Sequence, residues 1–380
     1  MTIDKPKGFF AVGVKSGLKS NKLDLAVVRN LGPNFDVAGV FTTNEIQAAP
    51  VLWSKQIINT GKAKVVILNS GGANACTGPA GFQVTHKTAE YAAEVFGLDA
   101  IDVAVCSTGI IGEQLNLDLI QIGIDESVKV SSDGDLAAQA IMTTDSVSKT
   151  CFLELDNFSI AGMAKGAGML APALATMLCV ITTDADLSSI NHQEILERVV
   201  DLTFNRISSD GCTSTNDTIL VLASGASSCK PTAIEFYDAL FTVCQDLAKQ
   251  IILDAEGATV FANIEVTNAV SENQALAIAK HVSSDMLVKT ALFGRDPNWG
   301  RVAASVGAVK AGIDPMKLDI YFNDEPLCLA GTANGDRHRV DLSDKYINIK
   351  IDLNLGQYTV NMITTDLSTE YVIENSEYSS

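Results

Sequence analysis

The chain has 380 residues, enough for two domains or one large layered one. Its 47% hydrophobic and 19% charged residues form an ordinary globular mixture, which excludes long disordered stretches. With 45 acidic against 27 basic residues the net charge is -18, which disfavours phosphate backbones and anionic lipid and speaks against nucleic-acid or membrane binding.

The N-terminal stretch MTIDKPKGFFAVGVKSG lacks a long apolar core followed by a small-residue cleavage site, so a secretory leader is not expected. A first buried strand reads as KVVILN (64–69), running into SGGANACTG. VAVCS (103–107) runs into TGIIG, FSIAGMA (158–164) into KGAG, and TMLCVITT (176–183) ends at DADLSS. Apolar runs of this length, bounded by Gly or Asp, are those of strands covered on both faces. The longest apolar stretch, Gly166 to Ile181, contains Pro172 and falls short of the roughly 20 residues of a membrane span.

Pro231 to Glu256 carries Ile234, Tyr237, Leu240, Phe241, Cys244, Leu247, Ile251 and Ile252 on one helical face, with Gly257 expected to stop the helix. Ser271-Glu-Asn-Gln274 reads as a capping box opening a helix to His281. IYFNDEPLCL then reads as a hairpin, and Tyr346 to Asp352 alternates polar and apolar before a Gly turn. The expected fold is a layered α/β body over residues 1–268 with a smaller α/β domain over 269–380.

Eight cysteines stand singly, several inside apolar runs (Cys106, Cys179), which fits a reduced, cytoplasmic protein. Four histidines (His86, His192, His281, His338) show neither metal-ligand spacing nor a catalytic partner, and no metal is expected. GAGMLAP lacks the dinucleotide spacing, nothing matches a P-loop, and Lys165-Gly-Ala-Gly168 reads equally as an anion contact or a tight turn. An enzyme without histidine or metal needs another base. A free α-amino group, with a reference pKa of about 7.7–8.0, is one source. An N-terminal threonine joins that base to a nucleophile. Thr176 follows the small loop Ala171-Pro-Ala-Leu-Ala175 and begins an apolar run, so cleavage there would place it at a strand tip. Threonine is also a common strand residue, and the residues alone leave both readings open.

The run GMAKGAGMLAPALATMLCVITTDA (162–185) resembles the self-cleaving segment of the glutamate N-acetyltransferase (ornithine acetyltransferase) family of arginine biosynthesis. NSGGANACTG (69–78), CSTGIIG (106–112), MTTD (142–145), STNDTILVLASG (214–225), EGAT (256–259), LVKTALFGRDPNWGRV (287–302) and ENSEYSS (374–380) resemble further family blocks, in family order and across almost the whole chain. The resemblance implies an α-β-β-α sandwich of the N-terminal-nucleophile type with a smaller C-terminal domain. It implies cleavage between Ala175 and Thr176 into chains 1–175 and 176–380, with Thr176 as the nucleophile. Thr108 and Gly109 match the oxyanion-hole pair, and a hydroxyl with a backbone N–H is a sensible donor set. Thr143, Lys165, Thr176, Glu256, Asn375 and Ser380 match substrate-binding positions.

Lys165 suits an α-carboxylate and Glu256 an ornithine side-chain ammonium. Read without the family, Glu256 is the last acidic residue of its helix, at the unfavourable end of the dipole. Cys212 and Arg295 depart from common family residues without touching these roles, and DPNWG (296–300) reads as turn chemistry with Trp299 as a core anchor. The implied reaction is double displacement: N-acetylornithine gives its acetyl group to Thr176, ornithine leaves, and glutamate takes the acetyl group as N-acetylglutamate. No cofactor is expected, acetyl-CoA stands open as an additional donor, and the two fragments are expected to pair and dimerise as a two-plus-two heterotetramer. An N-terminal-nucleophile aminopeptidase or amidase would share Thr176 and the cleavage. A non-catalytic amino-acid sensor would keep the pocket without them.

Overall fold

A computed structural model describes residues 2–170 and 177–377 of the chain. They fall into two compact units, each with its own core. The first comprises residues 2–169, 177–205 and Thr213–Asp254; the second comprises Leu170, Arg206–Cys212 and residues 255–377.

In the first unit a four-stranded sheet runs in the order β1 (Phe9–Val14), β2 (Leu25–Asn30), β4 (Val65–Asn69), β5 (Val103–Ser107). A five-stranded sheet has the order β3 (Asp36–Phe41), β10 (Thr218–Ala223), β8 (Leu178–Thr183), β7 (Ser159–Lys165), β6 (Lys149–Glu154). The apolar runs at 64–69, 103–107 and 158–164 are therefore strands, fully buried as their unbroken hydrophobicity requires. One hydrophobic core joins Val28, Ile67 and Val105 of the first sheet to Met163, Leu178, Val180, Leu220 and Leu222 of the second. Side chains alternate along a strand, so the other face of the second sheet is turned to helices. There a Cβ on Gly162 would lie 2.7 Å from Leu247 and 3.1 Å from Val243, both on α6 (Ala233–Leu253).

Alongside α6 packs α5 (His192–Leu202). The four-stranded sheet is covered by α2 (Gly78–Phe96) and α3 (Leu117–Ser127), so the layers run helix, sheet, sheet, helix. Two shorter helices, α1 (Ala49–Ile58) and α4 (Gly134–Ala140), complete the unit. Trp53 Nε1 and Ser54 Oγ of α1 donate to the Val103 and Val105 carbonyls at 2.9 and 2.7 Å, capping the open edge of β5.

The second unit is built on a seven-stranded sheet: β14 (Thr332–Ala333), β13 (Glu325–Leu329), β12 (Asp319–Phe322), β15 (Tyr346–Asp352), β11 (Phe261–Ala269), β16 (Tyr358–Thr365), β9 (Ile207–Ser208). Strands β12 and β13 form the expected hairpin, turning at Asn323 and Asp324 with φ of 46° and 70°. Positive φ at both turn residues suits the right-handed strand twist, and Asn and Asp tolerate it. Helices α7 (Glu272–Ser284), α8 (Met286–Phe293) and α9 (Trp299–Ala308) lay Ile278, Val282, Leu292 and Val306 onto Ile264, Val266, Ile349 and Ile351, and α10 (Thr369–Glu377) ends the described chain.

The sequence reading and the structure part at three places. The division falls between Asp254 and Ala255 rather than 268 and 269, because β11 is the strand between β15 and β16 and belongs to the second core. Helix α6 stops at Leu253 with Asp254 as its C-cap, so Gly257 is not the stop. Gly257 instead holds φ +60° where a Cβ would lie 2.2 Å from the Tyr371 nitrogen, a close approach only glycine permits. Ser271 Oγ does accept the Gln274 N–H at 3.2 Å, but Gln274 Oε1 takes the Val270 N–H at 2.9 Å, one residue before the position a capping box uses. Asn298 caps α9 and Trp299 packs on the second core, as the DPNWG reading expects. Among the described residues no helix is long and apolar enough to cross a membrane.

Helix α4 lies directly on β1: a Cβ on Gly13 would meet the Leu136 carbonyl oxygen at 2.0 Å and Ala140 Cβ at 2.9 Å. Gly13→Ala is expected to cost about 1–3 kcal/mol by overpacking, read as a lower urea midpoint. An unchanged midpoint would show that α4 moves away freely.

Candidate active site

Four of the expected site residues, Thr108, Gly109, Thr143 and Lys165, come together in the first unit. Strand β5 delivers Thr108 just past its end, where the Thr108 N–H donates to the Asn69 carbonyl at 3.0 Å and residue 108 bridges Gly72. Thr108 is 2% exposed. Gly109 follows at φ +132°, with space for a Cβ denied by the Gly72 nitrogen at 2.8 Å. Glycine is thus required twice here, by backbone angle and by contact. Asn216 braces the turn, its Nδ2 donating to the Ser107 and Ala73 carbonyls at 2.8 and 2.6 Å.

Strand β7 ends at Lys165, which is 1% exposed. Its ammonium donates to Thr108 Oγ1 at 3.4 Å and lies 3.9 Å from Asp145 Oδ2. Thr108 therefore accepts from a cation and keeps its own O–H for donation. A buried ammonium needs compensation, and Asp145 supplies it. That carboxylate also accepts the N–H of Thr143 at 2.9 Å, the N–H of Gly166 at 2.7 Å and Lys149 Nζ at 2.6 Å. Burial alone would raise the Asp145 pKa; the charges of Lys165 and Lys149 and these hydrogen bonds outweigh it, and the pKa falls to about 2. Fully buried Lys149 reaches on to Asp254 Oδ2 at 2.6 Å, so α6 is tied through its C-cap to the site.

Thr143 is thus placed by Asp145 rather than by its own element, half-buried in the segment after α4. Asp145, Lys149 and Asp217 were missed by sequence reasoning. Asp217 is fully buried, and its Oδ1 accepts the Met177 N–H at 3.0 Å where β8 begins; burial pushes its carboxyl well above the usual range. Asp145 lies in MTTD and Asp217 in STND, so both stand inside recognised blocks, but only the folded contacts show what they hold.

In the second unit Glu256 is half-buried and lies beyond the end of α6, so the helix-dipole argument about it does not apply. Asn375 of α10 donates from Nδ2 to Glu256 Oε2 at 3.0 Å and to the Tyr371 carbonyl at 3.0 Å. Ser368 Oγ donates to the Gly257 carbonyl at 2.6 Å, fixing α10 against this turn. Ala175, Thr176 and Ser380 lie outside the described residues. Among the described residues no group of three or more His, Cys, Asp or Glu side chains is placed to hold a metal.

A buried ammonium beside a threonine hydroxyl and a glycine turn, set in a two-sheet α/β body, is a set of donors able to meet an anionic group or a carbonyl oxygen. The ArgJ family model matches residues 10–380. Named relatives include the arginine biosynthesis bifunctional protein ArgJ of Mycobacterium bovis, 49% identical over 100% of this chain and 96% of its own length. The protein of the same name from Streptomyces coelicolor is 48% identical over 100% of both chains. Among solved structures, ornithine acetyltransferase from Mycobacterium tuberculosis complexed with ornithine is 53% identical, covering 46% of this chain and 96% of that one, with a TM-score of 0.45. The arginine biosynthesis bifunctional protein from Bacillus halodurans is 34% identical, covering 51% of this chain and 96% of that one, with a TM-score of 0.49. The chain belongs to the ArgJ family.

Because the Asp145 pKa is depressed to about 2, its contribution to stability is present above the ordinary carboxylate value and is lost as pH falls through about 2. Asp145→Asn is expected to cost about 3–5 kcal/mol near neutral pH by stranding buried charge. In urea unfolding the gap between wild type and variant should narrow from pH 4 to pH 2; a constant gap would refute the assignment.

Proposed function

We propose that this chain is a glutamate N-acetyltransferase of arginine biosynthesis, moving acetyl from N2-acetylornithine to L-glutamate through an acetyl ester on Thr176. The observation that carries this reading is the buried Lys165 ammonium donating to Thr108 Oγ1, within a chain that matches the ArgJ family over residues 10–380. The arrangement supplies an anion anchor and an oxyanion donor in one dry place, where electrostatic stabilisation is strong.

On this reading the peptide bond between Ala175 and Thr176 is cut first, which frees the Thr176 amine. That amine takes the hydroxyl proton, Oγ bonds to the acetyl carbonyl carbon, and Thr108 Oγ1–H and the Gly109 N–H hold the oxyanion. The carbon–nitrogen bond breaks, ornithine leaves with the proton, and acetyl-threonine remains. The neutral amine of glutamate then attacks the ester carbonyl, N-acetylglutamate departs, and Thr176 recovers its proton. An amide becomes an ester and returns to an amide, so no external energy source enters.

Lys165 with Thr143 is assigned the substrate α-carboxylate. The Glu256 carboxylate, oriented by Asn375, has the charge to meet an ornithine ammonium, and Ser380 is carried as a further contact by resemblance. We take acetyl-CoA as a second donor, in line with the word bifunctional in the relatives' names. Eight free thiols support a cytoplasmic setting, and the two fragments are proposed to assemble as a two-plus-two heterotetramer.

Intact mass under denaturing conditions should show fragments 1–175 and 176–380 for wild type and one uncut chain for Thr176→Ala. A wild type that stays uncut on incubation would overturn the catalytic reading and favour the sensor. Thr108→Ala should lower acetyl transfer about 10²–10³-fold. Release of free acetate without any dependence on glutamate would make the protein an amidase instead.

A further inference from the structure

The first unit holds one more cation at this place, and the reaction as described does not use it. Lys19 lies in the turn between β1 and β2, half-buried. Its Nζ donates to Ser70 Oγ at 2.7 Å and to the Met142 carbonyl at 2.6 Å. The turn itself is rigid, since the buried Asp24 carboxylate accepts the N–H groups of Ser16, Gly17 and Lys19 at 2.6, 3.1 and 2.8 Å. An ammonium has three donors. Two are spent on anchors, and no third acceptor stands among the described residues.

The Met142 anchor leads to the assigned site. Met142 immediately precedes Thr143, whose N–H is taken by Asp145 and whose hydroxyl makes no hydrogen bond among the described residues. Lys165 reaches the same short segment through Asp145, at 3.9 Å. Burial, together with the like charge of Lys165, lowers the Lys19 pKa to about 8; Asp24 and Asp145 act in the opposite sense and Lys22 reinforces the lowering. Two ammonium groups converging on a segment with a spare hydroxyl repel one another when the space between is empty. They become favourable when an anion stands there.

We propose that Lys19 is the second cation of a carboxylate-binding site, its third N–H acting with the Lys165 ammonium and the Thr143 hydroxyl on the α-carboxylate of the amino-acid substrate. The identity of that ligand rests on the acetyl-transfer reading; the anion site does not depend on Thr176 being a nucleophile. The competing role for Lys19 is a strap that ties its turn to the segment after α4. A strap would act on folding and on every ligand alike.

Titration calorimetry of the full-length protein with L-glutamate, L-ornithine and 1,4-diaminobutane separates the two, because the diamine lacks the carboxylate. Lys19→Gln, which keeps donors but not the charge, and Lys19→Met should both bind glutamate and ornithine at least tenfold more weakly, with diamine binding unmoved. Lys19→Arg should recover affinity to within about threefold of wild type. In acetyl transfer the KM should rise by a similar factor while kcat changes less than threefold. Unchanged affinity for both amino acids in Lys19→Gln and Lys19→Met overturns the inference, and so does an equal loss for the diamine. Wild type that binds both amino acids but transfers no acetyl group would break the catalytic reading and leave the carboxylate site standing.

Discussion

The first unit's site depends on one buried carboxylate. Asp145 faces two buried lysines, Lys149 and Lys165, and accepts two backbone N–H groups besides. An isolated ammonium carried into a dry interior sheds its proton rather than bear the desolvation cost. With Asp145 in place the Lys165 ammonium is compensated where it donates to the Thr108 hydroxyl. The same carboxylate sets the backbone of residue 143, so charge compensation and the placement of Thr143 come from one group.

A second support comes from outside the segment. Lys149 shares its proton donors between Asp145 and Asp254, and Asp254 also accepts the Ser146 N–H at 3.0 Å. The end of α6 is therefore part of the electrostatic frame of a site formed at the ends of β5 and β7. Removing one member of such a network strands the others, which is why buried ion pairs are costly to break even where they add little to net stability.

Much of the frame was legible because burial writes itself plainly in sequence. Strands covered on both faces appear as unbroken apolar runs, and 103–107 matched its strand residue for residue. Thr108 and Gly109 were named only through the family resemblance; their own residues read as no more than a strand-to-loop turn, and the structure does place them just past the end of β5. The boundary at 268 failed because β11 carries the same signature as the strands before it, and nothing local tells which of two cores a strand joins. Asp145 and Asp217 were read as parts of recognised blocks without roles. Lys165 and Met177 are distant partners brought to them by folding, and Lys149 stands four residues after Asp145 but in a strand rather than on a helix face, so no periodicity marked the pairs. Glu256 shows the opposite failure, a local rule applied past the helix end that would have justified it.

The buried lysines also bear on what the site can recognise. Asp145 has its oxygens committed to Lys149, Lys165 and two backbone N–H groups, so little of its charge is left to neutralise a further cation nearby. Burial first and the charge of Lys165 second lower the Lys19 pKa, and on the proposed reading an amino-acid carboxylate between the two lysines offsets both and raises it again. Any ligand that favours the folded state in this way also stabilises it, by mass action. The free protein would hold its cations at a cost, and the substrate would remove that cost only if it carries the carboxylate. Selectivity for amino acids over amines would then follow from electrostatic strain present before binding, and the side-chain end of the substrate would be free to differ, as it must in a reaction that takes both ornithine and glutamate derivatives.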